Sequence, residues 1–376
     1  MRLTSSLLSA LQITAIGIFV LTSPMGCSIA PMESPKYGKP VNKAELAQTL
    51  LTKSHGTPLD MQGKNLADLD LRGMDLSNAQ LNDSYLSRSV LDDANLSNAN
   101  LQNAILRGAN LRKADLSNAD LRGADLSNSD LSGAILSNTN LSKANLSGAN
   151  LSNVNFMTAS LEETIFTHTS LADADFTGKV LRGADFKNAM LQEVNFTRAD
   201  VSETNFSHAH LTKAKFNDAQ LSRAIFTKST CAKCDFRGAN LYQGIFKEAI
   251  FQESKMQSAT LDEANFTEAD LIASNLDKAT AIRATFIWAY LSDAVMTNVD
   301  FSNSNFSNAT LRKSDLKNSI LHSAIMLNTD LQGASLQNAG FKQAHLGGAD
   351  FKDADLSNAK GLDEARGLDS VKHFNP

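Results

Sequence analysis

Proline is missing from the longest part of this chain: all six prolines, Pro24, Pro31, Pro35, Pro40, Pro58 and Pro376, lie outside residues 62–360. Because proline removes a ladder N–H and is excluded from central strands, a stretch without it can pair its backbone throughout. Tryptophan occurs once, at Trp288, and cysteine three times, at Cys27, Cys231 and Cys234. Long apolar runs are also scarce. The segment from Leu7 to Thr22 has 16 residues, short of the roughly 20 that a membrane-spanning helix needs. Neither sign of charge dominates: 35 Lys and Arg face 40 Asp and Glu, a formal charge of −5. That gives no electrostatic reason to bind nucleic acid and is too small by itself to imitate a polyanion. A length of 376 residues would ordinarily imply two or three domains, but internal repetition overrides that expectation.

The first segment stands apart. Arg2, the apolar run and the small residues of SPMGCSIAP have the order of a secretory signal peptide. Gly26 directly before Cys27 resembles a bacterial lipoprotein lipobox, with Pro24 where that motif has Leu. The resemblance implies lipidation of Cys27 and a membrane tether. Ordinary cleavage after Ala30, ahead of Pro31, and an uncleaved anchor are the other fates. Loss of residues 1–26, which hold Arg2 and no acid, takes the charge from −5 to −6. Residues 27–41, with three prolines, have the composition of a tether.

What fills the rest is a count of five. From Leu66 to Leu356 every fifth residue gives 59 positions; 57 are Leu, Phe, Met or Val, and Cys231 and Ala281 are the exceptions. Two residues before each mark, from Ala79 to Ala354, 55 of 56 positions are Ala, Ser, Thr, Val, Gly or Cys; Lys179 alone departs. A large and a small residue two apart face the same side of an extended segment. The other residues must turn a corner, and Gly or Asn two after the mark (Gly73, Asn78, Gly108, Asn118) supplies the positive φ of a type II turn. Phe166, Phe186, Phe206, Phe226, Phe246, Phe266, Phe286 and Phe306 recur every twentieth residue, and Phe156, Phe176, Phe196, Phe216 and Phe236 recur opposite them. Like residues at intervals of twenty predict stacked coils with four five-residue sides.

These features resemble the pentapeptide-repeat family, whose A(D/N)LXX consensus stands at Ala114-Asp115-Leu116 and Ala149-Asn150-Leu151. The resemblance implies an all-β chain folded as a right-handed quadrilateral β-helix over residues 62–360. About fifteen coils at strand-pairing spacing give a rod on the order of 70 Å long. Asn42 and Glu45 form a capping-box pattern before Leu46, Ala47, Leu50 and Leu51, which predicts a short N-terminal capping helix over 43–53 within a lead-in at 42–61. After 360 the count is lost, and Leu362, Leu368 and Val371 are expected to lie over the last coil as a C-terminal cap, residues 361–376.

Few residues offer chemistry. Cys231 and Cys234 sit at large and small inward positions, so they read first as core fillers and second as a disulfide across that corner. Zinc is not expected, because no second ligand pair lies nearby in sequence. His168 and His208 share one outer corner two coils apart, too far for shared coordination, and His210 lies beside His208. Asn-x-Ser triplets such as Asn95-Leu96-Ser97 follow from the repeat register, with the central residue pointing inward. A rod filled with Leu and Phe offers no concave site, so no catalytic residue, cofactor or metal is expected. The main surface departure is IRATFIWAYL, residues 282–291: Ile287, Trp288 and Tyr290 fall outward, with Ile225, Ile245 and Ile250 a few coils earlier. Exposed apolar and aromatic groups of this kind mark a candidate partner surface.

The functional expectation is therefore a non-enzymatic, exported rod, tethered to a membrane through Cys27, that binds an unidentified protein partner or shapes the cell envelope. Some pentapeptide-repeat proteins inhibit DNA gyrase by resembling a DNA duplex, and that is the alternative. The resemblance also implies a homodimer through an end coil.

Overall fold

The computed structural model describes residues 37–42, 46, 48, 49 and 57–374. The unit Ala114-Asp115-Leu116-Ser117-Asn118 shows how five residues make one side of a coil. Ala114 and Leu116 point into the core and are fully buried. Asp115 N–H donates to Ala94 O of the preceding coil at 2.9 Å, and Leu116 N–H donates to Ile135 O of the following coil at 2.9 Å. At the corner, Asn118 N–H reaches Ser137 O at 2.8 Å, and Ala119 N–H returns to Leu116 O at 2.9 Å, which closes the β-turn. The remaining amide, Ser117 N–H, donates to Asp115 Oδ1 at 2.9 Å.

That accounting explains the consensus. Backbone groups held between coils must find partners within the chain. The Asp or Asn before each Leu accepts from the corner amide that neither adjoining coil can reach, a local side-chain turn. Asn118, with φ 58°, fills the left-handed position that a type II turn demands.

Parallel bridges then join outward residues to those twenty later, from Asp60–Gln80 through to Gly340–Lys360, with four of them missing in one region. Four sides make one coil, and the molecule is a right-handed quadrilateral β-helix. Inside, the two phenylalanine columns stack on themselves, with ring centroids 4.9 Å apart for Phe166–Phe186 and 4.8 Å for Phe216–Phe236. They meet edge to face across the axis, as at Phe176–Phe186 (6.1 Å, 64°), a geometry that aromatic quadrupoles favour.

The ladder is interrupted in one region. Among the described residues no bridge joins Ile135 to Asn155, Asn150 to Ser170, Asn155 to Asp175 or Ser160 to Val180, whereas Asn145–Ile165–Asp185 stays paired. Lys179 stands at this seam in a slot otherwise filled by small residues. Its Nζ donates to the carbonyl oxygens of Ala159 at 2.5 Å and Met157 at 3.1 Å. The lysine cannot pack as an alanine would, so it takes an acceptor that the regular ladder assigns to Val180 N–H. Leu151, Phe156 and Leu171 beside it are 3–4% exposed, while the marks of the next coils are sealed.

At the front, Tyr37 stacks on Tyr85 with centroids 5.3 Å apart, and Val41 N–H donates to Asn65 O at 2.8 Å. Leu46, Gln48 and Thr49 have helical backbone, but the other residues of the expected 43–53 capping helix lie outside the described residues, so no such helix is defined. The signal segment and most of the tether also lie outside them. At the back the coil extends beyond the expected boundary: His345 pairs with Arg366 and Asp350 with Lys372, at spacings of 21 and 22. Leu362, Leu368 and Val371 pack half-buried against the core end, with a 3-10 helix at Leu368–Ser370.

Candidate partner surface

The corner two residues after each mark has positive φ in nearly every unit, and most units place Asn, Asp, Gly, Lys or Glu there. Trp288 occupies this position with φ 59°. A bulky side chain in the left-handed region is unusual and strained relative to glycine. Its backbone is nonetheless regular, with N–H donating to Ser307 O at 3.1 Å. The indole is 56% exposed and Tyr290, on the adjoining face, is 52% exposed. Ile287, between them and the core, is half-buried.

Coil stacking fixes what lies beneath these rings. Tyr290 bridges Asp270 below and Thr310 above, and Asp270 in turn bridges Ile250. Glu268 N–H donates to Ile287 O at 2.8 Å, which places Glu268 one coil below Trp288. Ile250 and Ile245 are exposed, and Ile225 and Ile245 bridge each other on the neighbouring face. The sequence-expected residues thus occupy two faces and the corner between them.

Elsewhere, charge pairs line parts of the surface, some built on the same stacking and some local. Lys213 meets Glu193 at 2.8 Å and Arg223 meets Glu203 at 3.1 Å, each across one coil. Arg122 bonds Asp120 two residues away and holds that carboxyl below its ordinary range. Such exposed pairs contribute little stability individually; their effect is to cancel charge along the corners. Lys179 differs: burial lowers its pKa below the usual lysine value.

Cys231 and Cys234 are both fully buried, as their register requires, and their sulfurs are bonded, with Cα atoms 5.4 Å apart. Both readings of the pair therefore hold together. Asn188 reaches His168 at 3.4 Å, and no cluster of three potential metal ligands occurs among the described residues. Two surface depressions of about 450 and 430 Å³ are open and polar, one bounded by Arg237 and Asp218, the other by Glu193 and Lys213. Cys27 lies outside the described residues, among which no helix is long and apolar enough to cross a membrane.

The sequence signal for the seam was present in the single exception, Lys179, but its consequence was not legible there. The ion pairs were likewise missed: the twenty-residue period aligns Glu193 with Lys213, but which aligned charges meet is set by side-chain geometry between coils.

Comparison with known proteins finds the same repeat. Sequence profiles of pentapeptide repeats match residues 89–128, 124–163 and 249–286, and one described as a pentapeptide repeat region matches 149–226 and 294–360. No curated protein matches the chain. Among solved structures, HetL, a pentapeptide repeat protein involved in heterocyst differentiation regulation in a Nostoc cyanobacterium, is 21% identical; the alignment covers 89% of this chain and 100% of HetL, with a TM-score of 0.18. Trypsin-treated QnrB1, a plasmid-mediated fluoroquinolone resistance protein, is 15% identical over 70% of this chain and 86% of its own, with a TM-score of 0.31. Rfr23 from the cyanobacterium Cyanothece is 20% identical over 36% and 90%, with a TM-score of 0.20.

Proposed function

This chain belongs to the pentapeptide-repeat family, and we propose that it works as a non-catalytic rod that presents a partner-binding surface around Ile287, Trp288 and Tyr290. The observation that carries this reading is Trp288. The chain's one tryptophan stands at an exposed left-handed corner, where every other repeat unit apart from Ala273 has glycine or a polar side chain. Exposed tryptophan and tyrosine are the side chains that most often anchor protein interfaces. The filled interior supports a non-enzymatic role, since phenylalanine and leucine occupy the axis coil after coil.

The test is a crosslinking pull-down with Trp288→Ala beside the wild type. Loss of specific partners from the variant is expected; identical partner sets overturn the surface.

The proposal includes export and attachment to a membrane through lipid on Cys27, supported by the order Arg2, apolar run, Gly26, Cys27. Palmitate labelling of wild type, absent from Cys27→Ala, is the expected result; a wild type that never labels removes the anchor. The rival reading, a duplex-like inhibitor of DNA gyrase, draws less support because the chain's 40 acidic residues are nearly balanced by 35 basic ones, and several corner glutamates are paired with cations on adjoining coils. Cytosolic protein that blocks gyrase supercoiling would reverse the preference.

A further inference from the structure

Most glutamates on this rod come with their counter-charges, whereas corner aspartates such as Asp83, Asp93 and Asp173 form no ion pair. Of the nine described glutamates, Glu163, Glu193, Glu203, Glu248, Glu253, Glu263 and Glu364 each form an ion pair with a lysine or arginine. Glu162 and Glu268 form none. Glu268 is the one that lies a single coil below Trp288. Asp270, one coil below Tyr290, accepts hydrogen bonds from the Gln252 amide at 2.7 Å and Ile272 N–H at 3.1 Å, and has no cationic partner. Two exposed aromatic rings therefore sit directly over two carboxylates whose charge the chain leaves uncompensated.

We infer that this surface receives a basic segment of a partner protein, one arginine or lysine lying against Trp288 and reaching Glu268, a second reaching Asp270 beside Tyr290. The chemistry is complementary at each point. A guanidinium stacks on an indole face and binds carboxylate through paired N–H donors. Strand-pairing spacing puts the backbones of Trp288 and Glu268 about 4.8 Å apart along the rod, so one arginine side chain is long enough to lie on the indole and reach the carboxylate. Exposed Ile250, on the far side of Asp270, offers an apolar contact for the residue beyond. This inference rests on the proposed surface and adds the class of its partner.

The probe is a capped hexa-arginine peptide added to the full chain, and the reporter is the chain's single tryptophan. Binding should change Trp288 emission, weaken as salt rises, and fall about five- to tenfold in affinity in a Glu268→Gln, Asp270→Asn double variant, an amount in line with losing exposed cation–carboxylate and cation–π contacts. A capped hexa-glutamate or hexa-serine peptide should leave the emission unchanged. Absence of an emission change with hexa-arginine overturns the inference, as does binding that the double variant leaves undiminished, since that would be general attraction to an acidic chain. An equal response to phosphatidylcholine vesicles overturns it too, in favour of a lipid headgroup. If Trp288→Ala loses partners in the pull-down while hexa-arginine fails, the surface stands and only its basic partner falls.

Discussion

The Lys179 ammonium donates to the Ala159 carbonyl oxygen at 2.5 Å, the acceptor that the ladder's repeating pattern assigns to Val180 N–H. One side chain has replaced a main-chain bond, and neighbouring bridges are lost with it. Lys179→Ala restores the small residue and should re-form the pairing. The expected gain is about 1–2 kcal/mol, from a recovered hydrogen bond and relief of a partly buried charge. Chemical denaturation measures it, and hydrogen exchange should show new protection at Val180 and Asp175. An unchanged or lower stability would refute the seam's assignment to this lysine.

Titration offers a second route to the same residue. Burial lowers the Lys179 pKa below the ordinary lysine value, so the folded chain binds that proton less tightly than the unfolded chain. The resulting penalty is present at neutral pH and disappears as pH rises through the folded pKa towards 10.5. Wild type should therefore gain stability relative to Lys179→Ala across that alkaline window. A difference that stays flat with pH contradicts the expectation.

The phenylalanine columns are expected to dominate core stability near the middle of the rod. Phe206 touches Phe186 and Phe226 in its own column and Phe196 and Phe216 across the axis. Phe206→Ala should cost about 3–5 kcal/mol, by lost transfer energy and the cavity left behind. A stability loss below about 1 kcal/mol in denaturant unfolding would mean that adjacent coils collapse into the space.

Trp288 should separate stability from binding. Glycine at φ 59° avoids a left-handed penalty of about 1–2 kcal/mol, offset in part by its greater unfolded-state entropy. Trp288→Gly is thus expected to match or exceed wild-type stability by up to about 1 kcal/mol while losing partner capture. A clear loss of stability would show that the indole serves the fold.

The disulfide is sealed inside the coil, with Cys231 and Cys234 both inaccessible. Native protein should keep both residues unreactive to thiol reagents after brief reductant treatment, and they should label only once denatured and reduced. Because the closed loop spans three residues in sequence, the chain-entropy contribution is only about 2 kcal/mol. The variant Cys231→Leu, Cys234→Ala should therefore still fold with the same circular dichroism spectrum. Rapid labelling of the native chain would place the pair outside the core.

The coil itself was legible from the residues alone, for a physical reason. Each side is made by a local rule, a small and a large inward residue and a corner that accepts positive φ, and repeating that rule leaves no freedom in how sides follow one another. Asp115, Leu116 and Asn118 could be given outward, inward and corner roles without reference to anything distant. The twenty-residue recurrence of phenylalanine showed that coils stack, but the side-chain contacts made between coils were not legible. Lys179 was visible as an exception, but only the adjoining coil supplied the carbonyl oxygens that its ammonium reaches. Nor could sequence show that Glu193 is paired and Glu268 is not, because the partner, when there is one, lies a full turn of the helix away. The tail follows the same principle. Its fives are gone, yet left-handed Gly361 and Gly367 let longer corners absorb the extra residues, and the exposed strand edge, which has unpaired donors and acceptors to satisfy, draws Arg366 and Lys372 into register. Local chemistry determined the shape of each turn; contact between turns decided where the rod opens, where its charge is left unmatched, and how it ends.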